Sequence, residues 1–289
     1  MLDPNAPILV EAKGVELELP DMNAARAFGR RPLTRILHPV TLSIRRGEIV
    51  GIVGESGSGK SSLGRLLLRL HEPTAGRLAF DGVDITHASQ DTLRPMRRRM
   101  QMIFQDPQSS LNPRRRIRSI VAAGLTLDAG QRAEIRDGEL VRLMVAVGLD
   151  PALLDRFPHE LSGGQRQRVG IARAIATRPD FVLADEIVSG LDVSTQAQVL
   201  ALLRRLAGEL QLALAFISHD LSVIRNLCHR VVVMRAGRIV EEGSCAALFD
   251  NPKADYTRRL LDAIPPLVPD PNWLGRPPPG AAEAAQAAG

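Results

Sequence analysis

Residues 47–70 read GEIVGIVGESGSGKSSLGRLLLRL, and the fold turns on how that stretch is parsed. Its start, GEIVGIVG, is apolar and rich in β-branched residues and predicts a buried strand, while the leucines after Ser61 recur at helical spacing. Between them Gly54-Glu55-Ser56-Gly57-Ser58-Gly59-Lys60-Ser61 matches G-x-x-x-x-G-K-[ST] in full, in the strand–loop–helix setting that the motif requires. Glycines let the backbone curl so that successive N–H groups face inward. The helix that follows, with Ser62 in its first turn, adds the partial positive charge of its N-terminus. Lys60 supplies a full charge for the β- and γ-phosphates, and the Ser61 hydroxyl is a hard oxygen suited to Mg2+. Alone, the loop specifies a nucleoside triphosphate and says nothing of its use.

Upstream, ILVEAKGVELELP (8–20) and VTLSIRRGEIVGIVG (40–54) are partly alternating and predict strands. Downstream, from about Asp84 to Arg156, the chain is charged, Arg-rich and helical in pattern, as in GELVRLMVAVGL (138–149). This predicts a helical insertion on the main sheet, about 84–178 when the next helix, GQRQRVGIARAIATRP (164–179), is counted with it. FVLAD (181–185) and LALAFIS (212–218) are short apolar runs of the kind that make fully buried parallel strands. Helices are expected at STQAQVLALLRRLAGEL (194–210) and DLSVIRNLC (220–228), and a hairpin at RVVVM (230–234) and RIVEEG (238–243). The alternation predicts an α/β fold with a mostly parallel sheet covered on both faces. From residue 263 the chain is Pro-rich, then Ala-rich and patternless, which predicts a tail without packed structure.

Asp185 and Glu186 fall where a buried strand emerges, the edge at which ligands of open α/β sheets collect. Asp185 is the expected Mg2+ partner, and Glu186 is placed to accept a proton from a water attacking the γ-phosphate. Gln105, in IFQDP, follows another apolar run and offers a carbonyl to the metal and an amide to water. His219, in FISHD, follows a third strand and can reach the γ-phosphate from the far side. Singly a loop Gln or a post-strand His is weak evidence; their shared position at one sheet edge gives them weight.

At 289 residues and 45% hydrophobic, the chain has material for one large α/β domain with an insertion. No apolar run reaches the roughly 18 residues of a membrane span, and the start lacks a basic-then-apolar signal, so a soluble protein is expected. Two distant cysteines, Cys228 and Cys245, suggest neither a disulfide framework nor a metal cluster. The net charge of +5 is concentrated around Arg97 to Arg99 and Arg114 to Arg116. With aromatics at 3%, there are few platforms for stacking bases, so no nucleic-acid partner is expected. A solvated face and an anionic partner both fit the clusters.

Leu161-Ser162-Gly163-Gly164-Gln165, followed by RQRVGIARAI, adds a second helix N-terminus with small residues, hence a second anion cradle. Together with the phosphate loop, Gln105, Asp185-Glu186, Ser189-Gly190-Leu191-Asp192 and His219, in this order, it closely resembles the nucleotide-binding subunits of ATP-binding-cassette proteins. The resemblance covers about 8–262. It implies a P-loop NTPase fold with an N-terminal antiparallel β subdomain and an inserted helical subdomain, ATP and Mg2+ as ligands, and hydrolysis with Glu186 as base. It implies that Ser162, Gly163 and Gly164 close over ATP held by the opposite subunit of a head-to-tail dimer, and that the loop around Asp192 communicates between the sites. Adenine stacks on an aromatic residue in this family, and Phe28 is the candidate, as open as an ordinary packing role.

Finer likeness lies in FQDPQSSLNPR and NPKADYTRRLLDAIP, which look like the subfamily powering import of dipeptides, oligopeptides and nickel. This implies a related but non-identical second ATPase subunit, transmembrane permease subunits, an external solute-binding protein acting through them, and a place at the cytoplasmic face of the cell membrane. The family surface around the Gln105 loop and the helical insertion receives a permease helix. Two departures stand out: Ile187 where the family has proline after the glutamate, and SGLD where SALD is usual. Ile187 keeps a regulatory, non-catalytic cassette open as the alternative, with a soluble cassette ATPase acting on nucleic acid as another.

Overall fold

The computed structural model describes residues 3, 5–21, 31–106, 110–125 and 133–263, and Phe28 and nearly all of the expected tail lie outside them. Their strands form two sheets. One, in the order β2-β1-β4-β5, comprises β1 (Ile8–Pro20), β2 (Leu33–Arg45), β4 (Ala75–Phe80) and β5 (Val83–Asp84), all antiparallel. The other, β10-β9-β3-β8-β7-β6, comprises β3 (Ile49–Val53), β6 (Met100–Ile103), β7 (Phe181–Asp185), β8 (Ala213–Ile217), β9 (Arg230–Arg235) and β10 (Arg238–Ser244). Here β9, β3, β8, β7 and β6 run parallel, and β10 closes the edge antiparallel to β9.

Every residue of β3, β7 and β8 is buried, because both faces of this sheet are covered. Alternation assigns their side chains to two cores. Val50, Ile52, Leu183, Ala215 and Ile217 pack with the antiparallel sheet and with α1 (Lys60–Leu67). Ile49, Val53, Val182, Ala184, Leu214 and Phe216 face the other way. They meet helices α5 (Gly163–Ile175), α6 (Val193–Glu209), α7 (Leu221–Leu227) and α8 (Cys245–Asp250). The remaining helices are α2 (Gln90–Arg99), α3 (Ile117–Ala122), α4 (Ala133–Ala146) and α9 (Asp255–Asp262).

Three details differ from the sequence expectation. The run 40–54 is not one strand: a turn after Arg45 passes the chain from the antiparallel sheet to the parallel one. The β4–β5 hairpin is an addition to the expected elements, although its loop is Asp81-Gly82, both with positive φ (51° and 78°), the signature of a tight two-residue turn. The insertion does not begin near residue 84, because Met100–Ile103 hydrogen-bonds to β7 as the edge strand of the main sheet. Helical structure projecting from the sheet starts only after that strand, with α3 and α4 packing on α5.

Candidate functional site

Register places the functional groups. Ile52 of β3 pairs with Ile217 of β8, Asp185 of β7 also pairs with Ile217, and Ile103 of β6 pairs with Ala184. The parallel strands therefore end together, and Gly54, Gln105, Glu186 and His219 all leave the sheet at one edge. That is the crevice beyond the carboxyl ends in which open α/β sheets hold ligands.

Gly54 opens the phosphate loop with φ 148°, and a Cβ there would lie 2.2 Å from the Met234 carbonyl oxygen, so only glycine fits. The Leu63 N–H makes the first helical bond, to Gly59 O, which leaves the N–H groups of Lys60, Ser61 and Ser62 without helical partners of their own. Lys60 is 6% exposed, and its ammonium donates to Gly54 O and Glu55 O, each at 2.8 Å. Burial pulls its pKa down, opposed by the charges of Glu186, Asp185 and Glu55. Ser58 Oγ is buried and has no hydrogen-bond partner. A buried cation, an orphaned hydroxyl and a helix N-terminus converging on one loop fit an anionic phosphate chain.

The Ser61 hydroxyl donates to Asp185 Oδ1 at 2.9 Å. Asp185 is 3% exposed, and burial pushes its carboxyl above the ordinary range despite that bond. Next in the chain, Glu186 has φ 49°, a left-handed conformation unusual for a residue with a side chain. Its N–H continues the sheet by donating to Ile217 O, and its carbonyl accepts from Ser189 Oγ at 2.7 Å. Gln105 Nε2 donates to Glu186 Oε2 at 2.9 Å, and His219 Nδ1 stands 3.8 Å from Glu186 Oε1. Lys60, Ser61, Gln105, Asp185, Glu186 and His219 thus form one cluster. The donors of Ser61, Asp185 and Gln105 are hard oxygens, a set that fits Mg2+.

Ile187 does not intrude on this cluster: its side chain is 1% exposed and packs into the core beneath Glu186.

No hydrogen bond or ion pair among the described residues joins Ser162, Gly163 and Gly164 to the Lys60 cluster. Ser162 caps α5: its Oγ accepts from Gln165 N–H, and Gln165 Oε1 accepts from Ser162 N–H at 2.9 Å. This is a reciprocal capping box, a feature that the Ser162-x-x-Gln165 spacing carries in the sequence itself. A Cβ on Gly164 would fall 2.5 Å from Thr195 Cγ2. Thr195 is fixed in turn by Asp192, whose Oδ1 accepts the Thr195 N–H at 2.9 Å and whose Oδ2 accepts its hydroxyl at 2.7 Å. Those bonds hold the Asp192 carboxyl below the usual range. The Asp192 loop and the Ser162 cap are therefore packed as one face.

Gly164→Ala is expected to overpack this contact, lowering stability by about 1–3 kcal/mol. It is also expected to depress ATP turnover. Adding Thr195→Ser removes Cγ2 while keeping the hydroxyl bound to Asp192, so the double variant should recover both properties in urea titration and ATPase assay. No recovery would mean that the tight contact is not the cause.

A glycine-rich loop with a buried lysine, an acidic strand end beside it and a capped helix N-terminus of small residues are the parts expected of a nucleotide-hydrolysing cassette. The ABC transporter family model matches residues 37–189. A Brucella ovis ATP-binding protein named for peptide import is 51% identical over 86% of this chain and 78% of its own length. The oligopeptide transport ATP-binding protein AppF of Bacillus subtilis is 47% identical over 78% of this chain and 69% of its own. Among solved structures, a dimeric bacterial ABC transporter cassette superposes with a TM-score of 0.73 at 28% identity, covering 82% of this chain and 99% of that one. The same cassette in a post-hydrolysis state with ADP and Pi gives the same score. The chain belongs to the ABC transporter family, as an ATP-binding and ATP-hydrolysing cassette subunit.

Proposed function

We propose that this subunit energises import of peptides or a related small solute through a membrane permease. The cluster of Lys60, Ser61, Gln105, Asp185, Glu186 and His219 carries the reading. Residues 54–62 cradle the triphosphate, with the Lys60 ammonium keeping its bond to Gly54 O and turning its other protons to the phosphates. Ser61, Asp185 and Gln105 hold Mg2+, which when bound neutralises phosphate charge. Glu186 takes the proton of the attacking water, oriented by the amide of Gln105, and His219 faces the γ-phosphate beside it. Ser162, Gly163 and Gly164, which share no described hydrogen bond or ion pair with their own chain's cluster, serve ATP bound to a second cassette subunit, related but not identical in sequence. Two nucleotides then complete an interface that neither subunit has alone, and closing it moves the permease.

The names of the relatives at 51% and 47% identity support peptide as the solute class. No described helix is long and apolar enough to cross a membrane, in keeping with a peripheral position on the cytoplasmic face and with transport by permease subunits fed from a solute-binding protein. A groove of about 460 Å3 between α2–β6 and α3–α5 supports docking of a permease helix; Leu70, Arg98, Met102, Phe104, Leu125 and Arg173 line it. Phe104 is 45% exposed there, with the Arg173 guanidinium 5.6 Å from its ring centre. Phe104→Glu is expected to weaken assembly with the permease at least about tenfold, as for a buried aromatic anchor, while nucleotide binding by the isolated chain is retained. Copurification with the encoded permease subunits and peptide-stimulated ATPase in proteoliposomes test this. Stimulation by peptide-loaded binding protein is expected; assembly without such stimulation by any peptide would sink the solute class.

A further inference from the structure

We propose that Tyr256 is a positioning residue for nucleotide binding, acting from the C-terminal helix through the backbone of Glu55. The peptide group joining Gly54 to Glu55 is held at both ends. Its carbonyl, Gly54 O, accepts from the Lys60 ammonium at 2.8 Å, and its N–H, that of Glu55, donates to the Tyr256 hydroxyl at 3.1 Å. The two partners of the second bond are 201 residues apart in the chain. A peptide gripped only at its carbonyl can rotate with the lysine. Gripped at both ends it cannot, so the orientation of Gly54 O, and the seat it offers Lys60, depends on Tyr256.

The phenol is itself firmly placed. The residue is 9% exposed, and the Arg235 guanidinium lies over its ring at 5.0 Å from the centroid. The start of α9 is tied to β10 by the Glu241 carboxylate, which accepts the N–H groups of Lys253 at 2.8 Å and Ala254 at 2.9 Å. These two bonds are charge-assisted and anchor the helix where Tyr256 leaves it. The hairpin adds a further hold, since Gly237 N–H donates to Ser58 O at 2.9 Å. The last described segment thus braces the phosphate loop at the Glu55 N–H, and the hairpin braces it at Ser58 O.

This rests on residues 54–61 being the nucleotide cradle, and a set of variants separates the two ideas. Tyr256→Phe keeps the ring and the Arg235 contact and removes only the hydroxyl. ADP binding is measured by calorimetry on the full chain, and KM and kcat for ATP in the assembled transporter, for wild type, Tyr256→Phe and Lys60→Ala. For Tyr256→Phe the expectation is a Kd for ADP and a KM for ATP raised about three- to tenfold, the size of one hydrogen bond. Its kcat should stay within about twofold, because the hydroxyl touches no reacting atom. Unchanged Kd and KM, or a fall in kcat at constant KM, would overturn the proposal when Lys60→Ala has lost ADP binding. If Lys60→Ala binds ADP as wild type does, the cradle reading fails and takes this proposal with it.

Discussion

Replacing Glu186 by glutamine is expected to lower ATP turnover by about 10²- to 10⁴-fold, the contribution of a general base, with nucleotide affinity essentially unchanged. The variant is unusually clean because Gln105 Nε2 donates to Glu186 Oε2, and a glutamine keeps a carbonyl oxygen in that place. What disappears is the capacity to take a proton. The left-handed backbone at this position, φ 49°, and its N–H bond to Ile217 O do not involve the carboxylate that is replaced. With hydrolysis blocked and binding intact, an ATP-bound dimer should persist on size-exclusion chromatography. Wild-type turnover in the assembled glutamine variant would remove Glu186 from the reaction. A wild-type transporter that binds ATP yet never turns over would instead point to the regulatory cassette that Ile187 keeps open.

Lys60→Ala is expected to weaken nucleotide binding by about a hundredfold or more, about 2.7 kcal/mol, the scale of one or two charge-assisted bonds to phosphate. The effect is partly geometric and partly electrostatic. Lys60 is nearly buried, its charge favoured by Glu186, Asp185 and Glu55 and disfavoured by desolvation. Its loss leaves carboxylates facing a polyphosphate with one fixed cation fewer between them. Calorimetry with ADP reads the effect directly. Affinity within threefold of wild type would mean that residues 54–61 are not the nucleotide cradle.

Much of the fold and of the site is legible in the amino-acid sequence, for a physical reason. The phosphate loop, the acidic strand end and the helix before Pro179 are local patterns in which chemistry and spacing occur within a few residues of one another. Buried parallel strands such as FVLAD and LALAFIS announce themselves because both faces must be apolar. Met100–Ile103 shows only as the apolar run before Gln105, because MQMI has one β-branched residue and follows an Arg-rich helix, so it does not stop the expected insertion from starting near residue 84. Asp81-Gly82 is a readable turn signal, overshadowed by the stronger motif nearby. Tyr256 is beyond reach. No local pattern reports a hydrogen bond across 201 residues, and its sequence surroundings give only family likeness.

The flush ending of β3, β8, β7 and β6 has a genetic consequence. Removing one codon within β7 would exchange the two sets of side chains, sending Leu183 toward the core built for Val182 and Ala184, and would draw Asp185 and Glu186 back from the edge by one position. Folding and chemistry would fail together. Substitutions on the solvated faces of α2 or α4 are free of that double jeopardy. Drift in this gene should therefore run through point changes at the surface, while the length of the central strands stays frozen, since the spacing that packs the protein is also the spacing that aims its reactive groups.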